Sequence, residues 1–414
     1  MRILVVVDSI NIEDSSGSKA NVALIRNLKK AGFELLVYHY SRKKINLDGI
    51  ACVSIKEIKF SFLYFLSRTQ REISKITKIN SNPKIESLFG FSFTFFNDVK
   101  SIKKGLMNIQ NFQPDWVLTL SIASSFRPHK ALLGLPQWHS KWLAYVHDPY
   151  PMHSYPRPYD WVEPGHQFKR DFFWQITEKS KYVLYPSKIL SEWMGGYYYN
   201  QYGKEIIIPH QIFNENKDID SILVPTFFNP NDFNILHAGS MMDARNPITL
   251  VVAFELFLAQ NPDAKSHAKL LFIGNKSSFD TFIRDKQKTL SQVFRSDDYL
   301  PFQEVMAMQE AAAVNVILEA IGPISPFLPG KFPHCIQTQK PILLLGPYYS
   351  ESKRLLGEEY PYWSEVNDIE KIQSHINKLY QSWLENKNLI MNRPDLMYYL
   401  SPKYLRKTLI ELKP

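Results

Sequence analysis

The stretch "RILVVVDSINIEDSSGSKANVALIRNLKKAGFELLVYHY", Arg2 to Tyr40, decides the fold. Its opening, RILVVVD, is a continuous apolar run closed by polar residues. Such a run marks a strand buried on both faces of a parallel sheet. The loop SINIEDSSGSK follows. ANVALIRNLKKAG then sets Val22, Ile25 and Leu28 at helical spacing and stops at Gly32. FELLVYHY is the next strand. Strand, helix and strand in this order make a right-handed crossover between parallel neighbours.

The same grammar recurs along the chain. PDWVLTLS (Pro114–Ser121), KWLAYVHD (Lys141–Asp148), YVLYPS (Tyr182–Ser187) and EIIIPHQ (Glu205–Gln211) read as strands ending in turns. A second series opens with FNILHAGS (Phe233–Ser240). A helix follows, with Asn246 as its N-cap and Pro247 at its first position. AKLLFIGN, AVNVILEA and KPILLLGP complete that series as strands. Two alternating series predict an α/β protein with two doubly wound Rossmann-like domains. The expected division is 1–205, 206–390 and a C-terminal amphipathic helix in 391–414 that packs back on the first domain. The polar, Pro-rich residues 205–232 hold the boundary. Phe60–Asn80 opens apolar and continues with Arg68, Arg71, Lys75 and Lys78. It is expected as a helix, packed on its own domain or docked on a membrane surface.

Composition narrows the class. A chain of 414 residues is too long for one ordinary core. Hydrophobic residues are 45% and charged residues 21%, as in a soluble globular protein. Two cysteines, Cys52 and Cys335, exclude a disulfide framework or a Cys-based zinc site and suit a reducing cytoplasm. The run Ile3–Val7 is too short for a signal peptide, and no run approaches the roughly 20 residues of a membrane span. The net charge of +9 is uneven. Residues 1–200 hold 27 Lys/Arg against 16 Asp/Glu, whereas residues 201–414 hold 22 against 24. The basic half suits an acidic partner such as membrane lipid, phosphate or nucleic acid, or reflects a lysine-rich proteome. No nucleic-acid module is recognisable, so nucleic acid is not an expected partner.

Ligands gather at the carboxyl ends of parallel strands, so the residues just after each strand are the candidates. Gly17 stands before the first helix, in a turn with free amides, without a full G-x-G-x-x-G or P-loop pattern. His147 and Asp148 follow WLAYV and are the candidate catalytic residues. Gly239 and Ser240 form a turn, and Arg245 lies just ahead of the next helix. Lys331 falls at the start of a short helix within SPFLPGKFPHCIQTQKPILLLGP. Two loop–helix junctions, each with a cation, are what a diphosphate needs. No metal cluster stands out, and Asp218–Asp220 (DID) reads as a solvated loop.

These residues resemble a known family. GSMMDARNPITLVVAF is similar to the turn G-[RS]-x-x-x-x-[KR]-[NG] and following helix of GT-B glycosyltransferases of the family-4 type. SPFLPGKFPHCIQTQKPILLLGP resembles that family's S-P-x-L-P-x-K-x-x-E-x-x-x-x-G-K-P-[IV] segment, and YVLYPSKILSEWM its strand and helix before the interdomain hinge. The resemblance implies two Rossmann-like domains facing across a cleft. It implies a retaining, metal-independent transferase with no cofactor beyond a nucleotide-diphospho-sugar co-substrate of the UDP or GDP type. The donor would lie on the second domain, and a glycan, polysaccharide or lipid-linked acceptor on the first.

Under that resemblance Arg245 and Lys331 contact the diphosphate, and Ser240 takes a place that is often arginine. His147 contacts the transferred sugar. Gly17 lies near the phosphates and acceptor. Tyr299, Pro301 and their neighbours to Gln303 flank the nucleobase. His334 stands where the family grips the ribose with a glutamate, and a neutral imidazole accepts one hydrogen bond, not two. Position 326 is proline where many members have a second glutamate. Backbone amides across Phe327, Leu328 and Gly330 would then hold the sugar. Two other readings stay open: a catalytically degenerate scaffold that binds glycan or a partner, and a sugar-nucleotide epimerase. The latter needs paired carboxylates that are not evident. The expected location is the cytoplasm, at the inner face of the membrane where the basic half meets lipid.

Overall fold

A computed structural model describes residues 1–213, 224–297 and 300–413. Asp218–Asp220 and Tyr299 lie outside the described residues. The chain forms two compact units. The first comprises Met1–Tyr155, Tyr159–Phe213 and Tyr399–Pro414, and the second Pro156–Pro158 and Asn214–Tyr398. The dividing point in the sequence is thus Phe213/Asn214, not 205/206.

In the first unit β1 (Arg2–Val7), β2 (Glu34–His39), β3 (Ala51–Ser54), β4 (Trp116–Leu120), β5 (Trp142–Tyr145), β6 (Tyr182–Tyr185) and β7 (Glu205–Ile207) form one sheet. Its order is β3-β2-β1-β4-β5-β6-β7. Every pairing is parallel, with Ile3 opposite Leu35 on one side and Trp116 on the other. Ile3 through Val7 are fully buried, which requires cover on both faces. The covering helices begin where the sequence places polar caps. Ser15 Oγ accepts the Ser18 amide to start Ser16–Lys30, and Ser187 of the YPS turn accepts the Leu190 amide to start Lys188–Gly195.

In the second unit β8 (Phe233–Ala238), β9 (Ala268–Ile273), β10 (Val293–Arg295), β11 (Val314–Leu318), β13 (Ile342–Leu345) and β15 (Trp363–Ser364) form a parallel sheet ordered β10-β9-β8-β11-β13-β15. β12 (Ile324–Ser325) and β14 (Tyr349–Ser350) pair separately. The core centres on Phe233, Phe254, Phe257 and Leu270. The helix after β8 is Ile248–Gln260, with Pro247 at its N-cap. Asn246 still caps in effect, because its Oδ1 accepts the Ile248 amide at 2.8 Å.

Both sheets confirm the doubly wound reading, and every strand read from the sequence is present. The short strands β3, β10, β12, β14 and β15 were not read. They span two to four residues, too few for a period to show. The C-terminal segment forms two helices, Pro394–Tyr399 and Pro402–Ile410, not one. Pro402 biases Ser401 away from helical backbone, so the first helix ends before it. Pro402–Ile410 lies against Ser16–Lys30, where Arg406 donates to the Ala31 carbonyl at 2.7 Å.

One close approach locks the ends of β8 and β9. Gly239 has φ +141° and Gly274 φ +157°. A Cβ on Gly274 would sit 2.3 Å from the Gly239 carbonyl oxygen. Gly274→Ala should therefore destabilise the protein by about 2–4 kcal/mol, read as a fall in the thermal unfolding midpoint. An unchanged midpoint would contradict this packing.

Candidate functional site

A doubly wound sheet has one place where strand order reverses, and the crevice outside the carboxyl ends there accepts ligands. In the second unit that place lies between β8 and β11. β8 runs into Gly239, where an added Cβ would begin 3.0 Å from Lys331 Cε and Nζ. Lys331 stands at the N-cap of Phe332–Gln337. Its Nζ lies 2.8 Å from Nε2 of His237, a buried residue of β8. Lys331 as a whole is half-buried, but its ammonium end is enclosed. Burial pulls its pKa down to about 7, opposed by Cys335 and reinforced by Arg245. His237 is held well below its usual pKa by burial and by the Lys331, Arg245 and Arg295 charges. A neutral His237 accepts a hydrogen bond from the lysine.

Arg245 approaches from the turn after β8, its amide bonded to the Met242 carbonyl at 2.7 Å. Its Nε is buried without a hydrogen-bond partner among the described residues. Donor capacity thus remains for an anion. No ion pair holds Lys331 among the described residues. Gly239, Arg245 and Lys331, expected separately from the sequence, therefore share one crevice. Ser240 and Gly330 are exposed, Phe327 is half-buried and Leu328 is buried. His334 is buried, and its ring meets Phe302 edge-on at 5.3 Å. Pro301 is the N-cap of the helix Phe302–Ala311 that carries Phe302. The segments expected at ribose and nucleobase are thus in contact.

Two residues at this crevice escaped the sequence reading. Glu319, the first residue after β11, is buried. Ser352 Oγ donates to its Oε1 at 2.6 Å. Burial raises its pKa to about 7, against the pull of Ser352, Ser350 and Arg245. The signal was available, a carboxylate at a strand end within VNVILEA. Arg295, the last residue of β10, is buried and donates to the carbonyls of Phe272, Gly274 and Asn275 and to Asp280. It pins the β9 loop that carries Gly274.

In the first unit the strand order reverses between β1 and β4. A cavity of about 470 Å³ opens there, lined by Asp8, Ser9, Tyr40, Arg42, Arg71, Asp98, Ser125 and Arg127 among others. Asp98 is its hub. It accepts from Tyr40 OH at 2.9 Å and Arg42 Nη2 at 3.0 Å, and Arg127 Nε lies 3.1 Å away. Asp8 accepts a short hydrogen bond from Ser125 Oγ. Its other oxygen, Oδ1, is buried without a partner among the described residues. Burial raises the pKa of both carboxyls, and Arg127 opposes the rise at each. Hydroxyls and carboxylates alternating with guanidinium groups suit a polyhydroxylated ligand. Of these residues the sequence reading named only Arg71, as a cation of Phe60–Asn80 and not as part of a cavity, although Asp8 ends the first strand.

His147 lies beyond β5 and is buried. Its Nε2 is 2.7 Å from Asn21 Oδ1, while Asn21 Nδ2 donates to the Ser121 carbonyl. Nε2 therefore carries the proton and Nδ1 the lone pair. Burial, with His210 and His129 nearby, holds its pKa well below the ordinary value. It stacks on His210 at 5.3 Å. Asp148 is half-buried beside it in the chain. Gly17 is not in a turn before the helix but is the second residue of Ser16–Lys30. Ser15, not Gly17, takes the capping place, because its side chain supplies the acceptor. A Cβ on Gly17 would stand 3.0 Å from Ile122 Cγ2, so glycine there permits close packing against the β4 loop.

The pKa of Glu319 yields a prediction with a definite sign. A carboxyl whose folded pKa is raised to about 7 contributes stability below its ordinary range, and loses it as pH rises through 7. The E319Q variant keeps the neutral shape. It should match wild type near pH 5 and exceed it near pH 8 by up to about 3 kcal/mol, seen in denaturant titrations at both pH values. Equal differences at the two pH values would exclude a raised pKa.

No protein-family model and no curated protein sequence matches the chain. Solved structures do. One is trehalose-6-phosphate from E. coli bound with UDP-2-fluoro glucose, at 11% identity, TM-score 0.59 and full coverage of both chains. Another is sucrose-phosphate synthase from Thermosynechococcus elongatus, at 13% identity and TM-score 0.58, covering 100% of this chain and 95% of that one. A third is a glycosyltransferase from Rickettsia africae, at 15% identity and TM-score 0.54, covering 99% and 93%. At such identities the likeness speaks for the fold, and the two Rossmann-like units of this chain are those of the GT-B glycosyltransferase fold.

Proposed function

We propose that the chain is a glycosyltransferase moving a sugar from a nucleotide diphosphate of the UDP or GDP type to a glycan, polysaccharide or lipid-linked acceptor in the cytoplasm. The observation that carries this reading is the pair of cations, Lys331 and Arg245, set against Gly239 at the β8–β11 switch point. Two cations beside a bare glycine turn fit a diphosphate. The E. coli protein, similar in fold, is bound with UDP-2-fluoro glucose, which supports a nucleotide sugar.

In the reaction the bond from sugar carbon to diphosphate oxygen breaks. A bond from an acceptor hydroxyl oxygen to that carbon forms, and the hydroxyl proton passes to the departing diphosphate. Transfer on one face of the sugar retains configuration. Charge gathers on the diphosphate as the bond breaks, so fixed cations stabilise the transition state more than the ground state. Lys331 and Arg245 supply that charge without a metal. The first-unit cavity holds the acceptor, with Asp8 Oδ1 open to a hydroxyl donor. His147 Nδ1 accepts from a sugar hydroxyl.

Nucleoside diphosphates should raise the thermal midpoint, and K331A and R245A should each weaken their binding about 10–100-fold. No shift with any common nucleoside diphosphate would sink the reading. Because the Lys331 pKa is lowered to about 7, the free site loses its charge above that pH. Diphosphate affinity should fall by up to about tenfold per pH unit between 7 and 9, with proton uptake measurable by calorimetry in buffers of different ionisation enthalpy. A flat profile would place the phosphates elsewhere. His334 favours a second reading, a degenerate binding scaffold, because the ribose grip is reduced. His334→Glu should tighten nucleotide binding if this segment holds the ribose. Nucleotide binding by the wild type without sugar transfer or release would favour the scaffold.

A further inference from the structure

A helix that packs on its own domain turns its apolar stripe inward. The helix Phe62–Thr77 does the reverse. Ser67 is its one buried residue. Phe62, Phe65, Ile73 and Ile76 are 75%, 65%, 52% and 82% exposed. At 100° per residue these four fall within about 80° of arc, and Ser67 lies on the opposite side. Phe60 just before the helix is fully exposed, as are large parts of Ile79, Leu88 and Phe89 just after it. The helix Asn82–Phe89, which carries the last two, buries none of its residues. Cations border this apolar face. Lys59, Lys75, Lys78 and Lys84 are exposed, and residues 56–89 hold seven Lys/Arg against three Asp/Glu. All three acids are engaged, Glu57 with Arg68, Glu72 with Lys75 and Glu86 with Lys169.

We propose that Phe60, the outer face of Phe62–Thr77 and the helix Asn82–Phe89 form a docking surface for an anionic lipid bilayer. Exposed phenylalanine and isoleucine enter the boundary between headgroups and acyl chains, while the bordering lysines meet anionic headgroups. A second copy of the chain fits less well, because it would set the same cations against one another in a desolvated contact. The helix also connects this surface to the β1–β4 cavity. Arg71 lines that cavity from the same helix, and donates to Thr94 Oγ1 at 3.1 Å. Lipid docking thus brings a lipid-linked acceptor near the cavity, an extension that rests on the transferase reading, whereas the docking itself does not.

The test is sedimentation of the full chain with vesicles, in the absence of any donor, so that its outcome is independent of glycosyl transfer. Wild type should sediment with vesicles of phosphatidylcholine containing one-third phosphatidylglycerol, and less so as salt rises. The F65S/I76S variant should lose about tenfold or more in vesicle affinity with an unchanged thermal midpoint, because both side chains are exposed. The K59E/K78E variant, which leaves the apolar stripe intact, should also bind more weakly. Failure of the wild type to bind anionic vesicles would overturn the proposal. So would unchanged binding by both variants. A concentration-dependent dimer in light scattering, abolished by F65S/I76S and unaccompanied by vesicle binding, would assign the face to a second copy instead.

Discussion

Parallel strands cannot be joined by tight turns, so each must be followed by a crossover that covers one face of the sheet. The rest of this protein depends on that constraint. Crossovers that start from β1 and from β8 run outward in one direction, and the chain then returns to build on the other side. Each sheet therefore carries a crevice at the carboxyl ends of its central strands. Asp8 and Ser125 border one of them, and Gly239, Lys331 and Glu319 border the other. No separate device is needed to make the pockets. They follow from winding two ββ crossover series outward from a central strand.

The two crevices differ in how their charges are balanced. In the first unit Asp98 meets Tyr40, Arg42 and Arg127 together, so the cations are matched before any ligand arrives. Such a network is rigid and offers hydrogen bonds more than net charge. In the second unit Lys331 faces a neutral histidine, and Arg245 keeps a buried donor in reserve. Enclosed positive charge without a matching anion is unfavourable, and a bound anion relieves it. The contrast separates a crevice of matched charges from one with unmatched positive charge on two copies of one architecture.

The legible part of the sequence was the part that repeats. Long buried strands such as RILVVV and FNILHA show as unbroken apolar runs, because both faces are covered. Gly239, Arg245 and Lys331 were legible too, because turn chemistry ahead of a helix is local. The rest was hidden for physical reasons. β3 alternates exposed and half-buried residues over four positions, too short and too polar for a pattern. Asp8, Asp98, Arg42 and Arg127 stand far apart in the chain, and only packing makes them neighbours. Glu319 looked like the polar end of a strand, although it is enclosed beside serines that arrive from Ser325, Ser350 and Ser352.

The helix Phe62–Thr77 marks the boundary between the two kinds of information. Its sequence showed an apolar opening followed by Arg68, Arg71, Lys75 and Lys78. Period alone does not state which side of a helix faces the domain. That was decided by tertiary packing, which turned Ser67 inward and left the phenylalanines outside. The sequence by itself determined the long strands, their parallel winding and the turns ahead of the helices, since these depend on residues a few positions apart. The tertiary structure alone decided which side chains share a crevice and which apolar face stays open, since both depend on residues brought together from more than a hundred positions away.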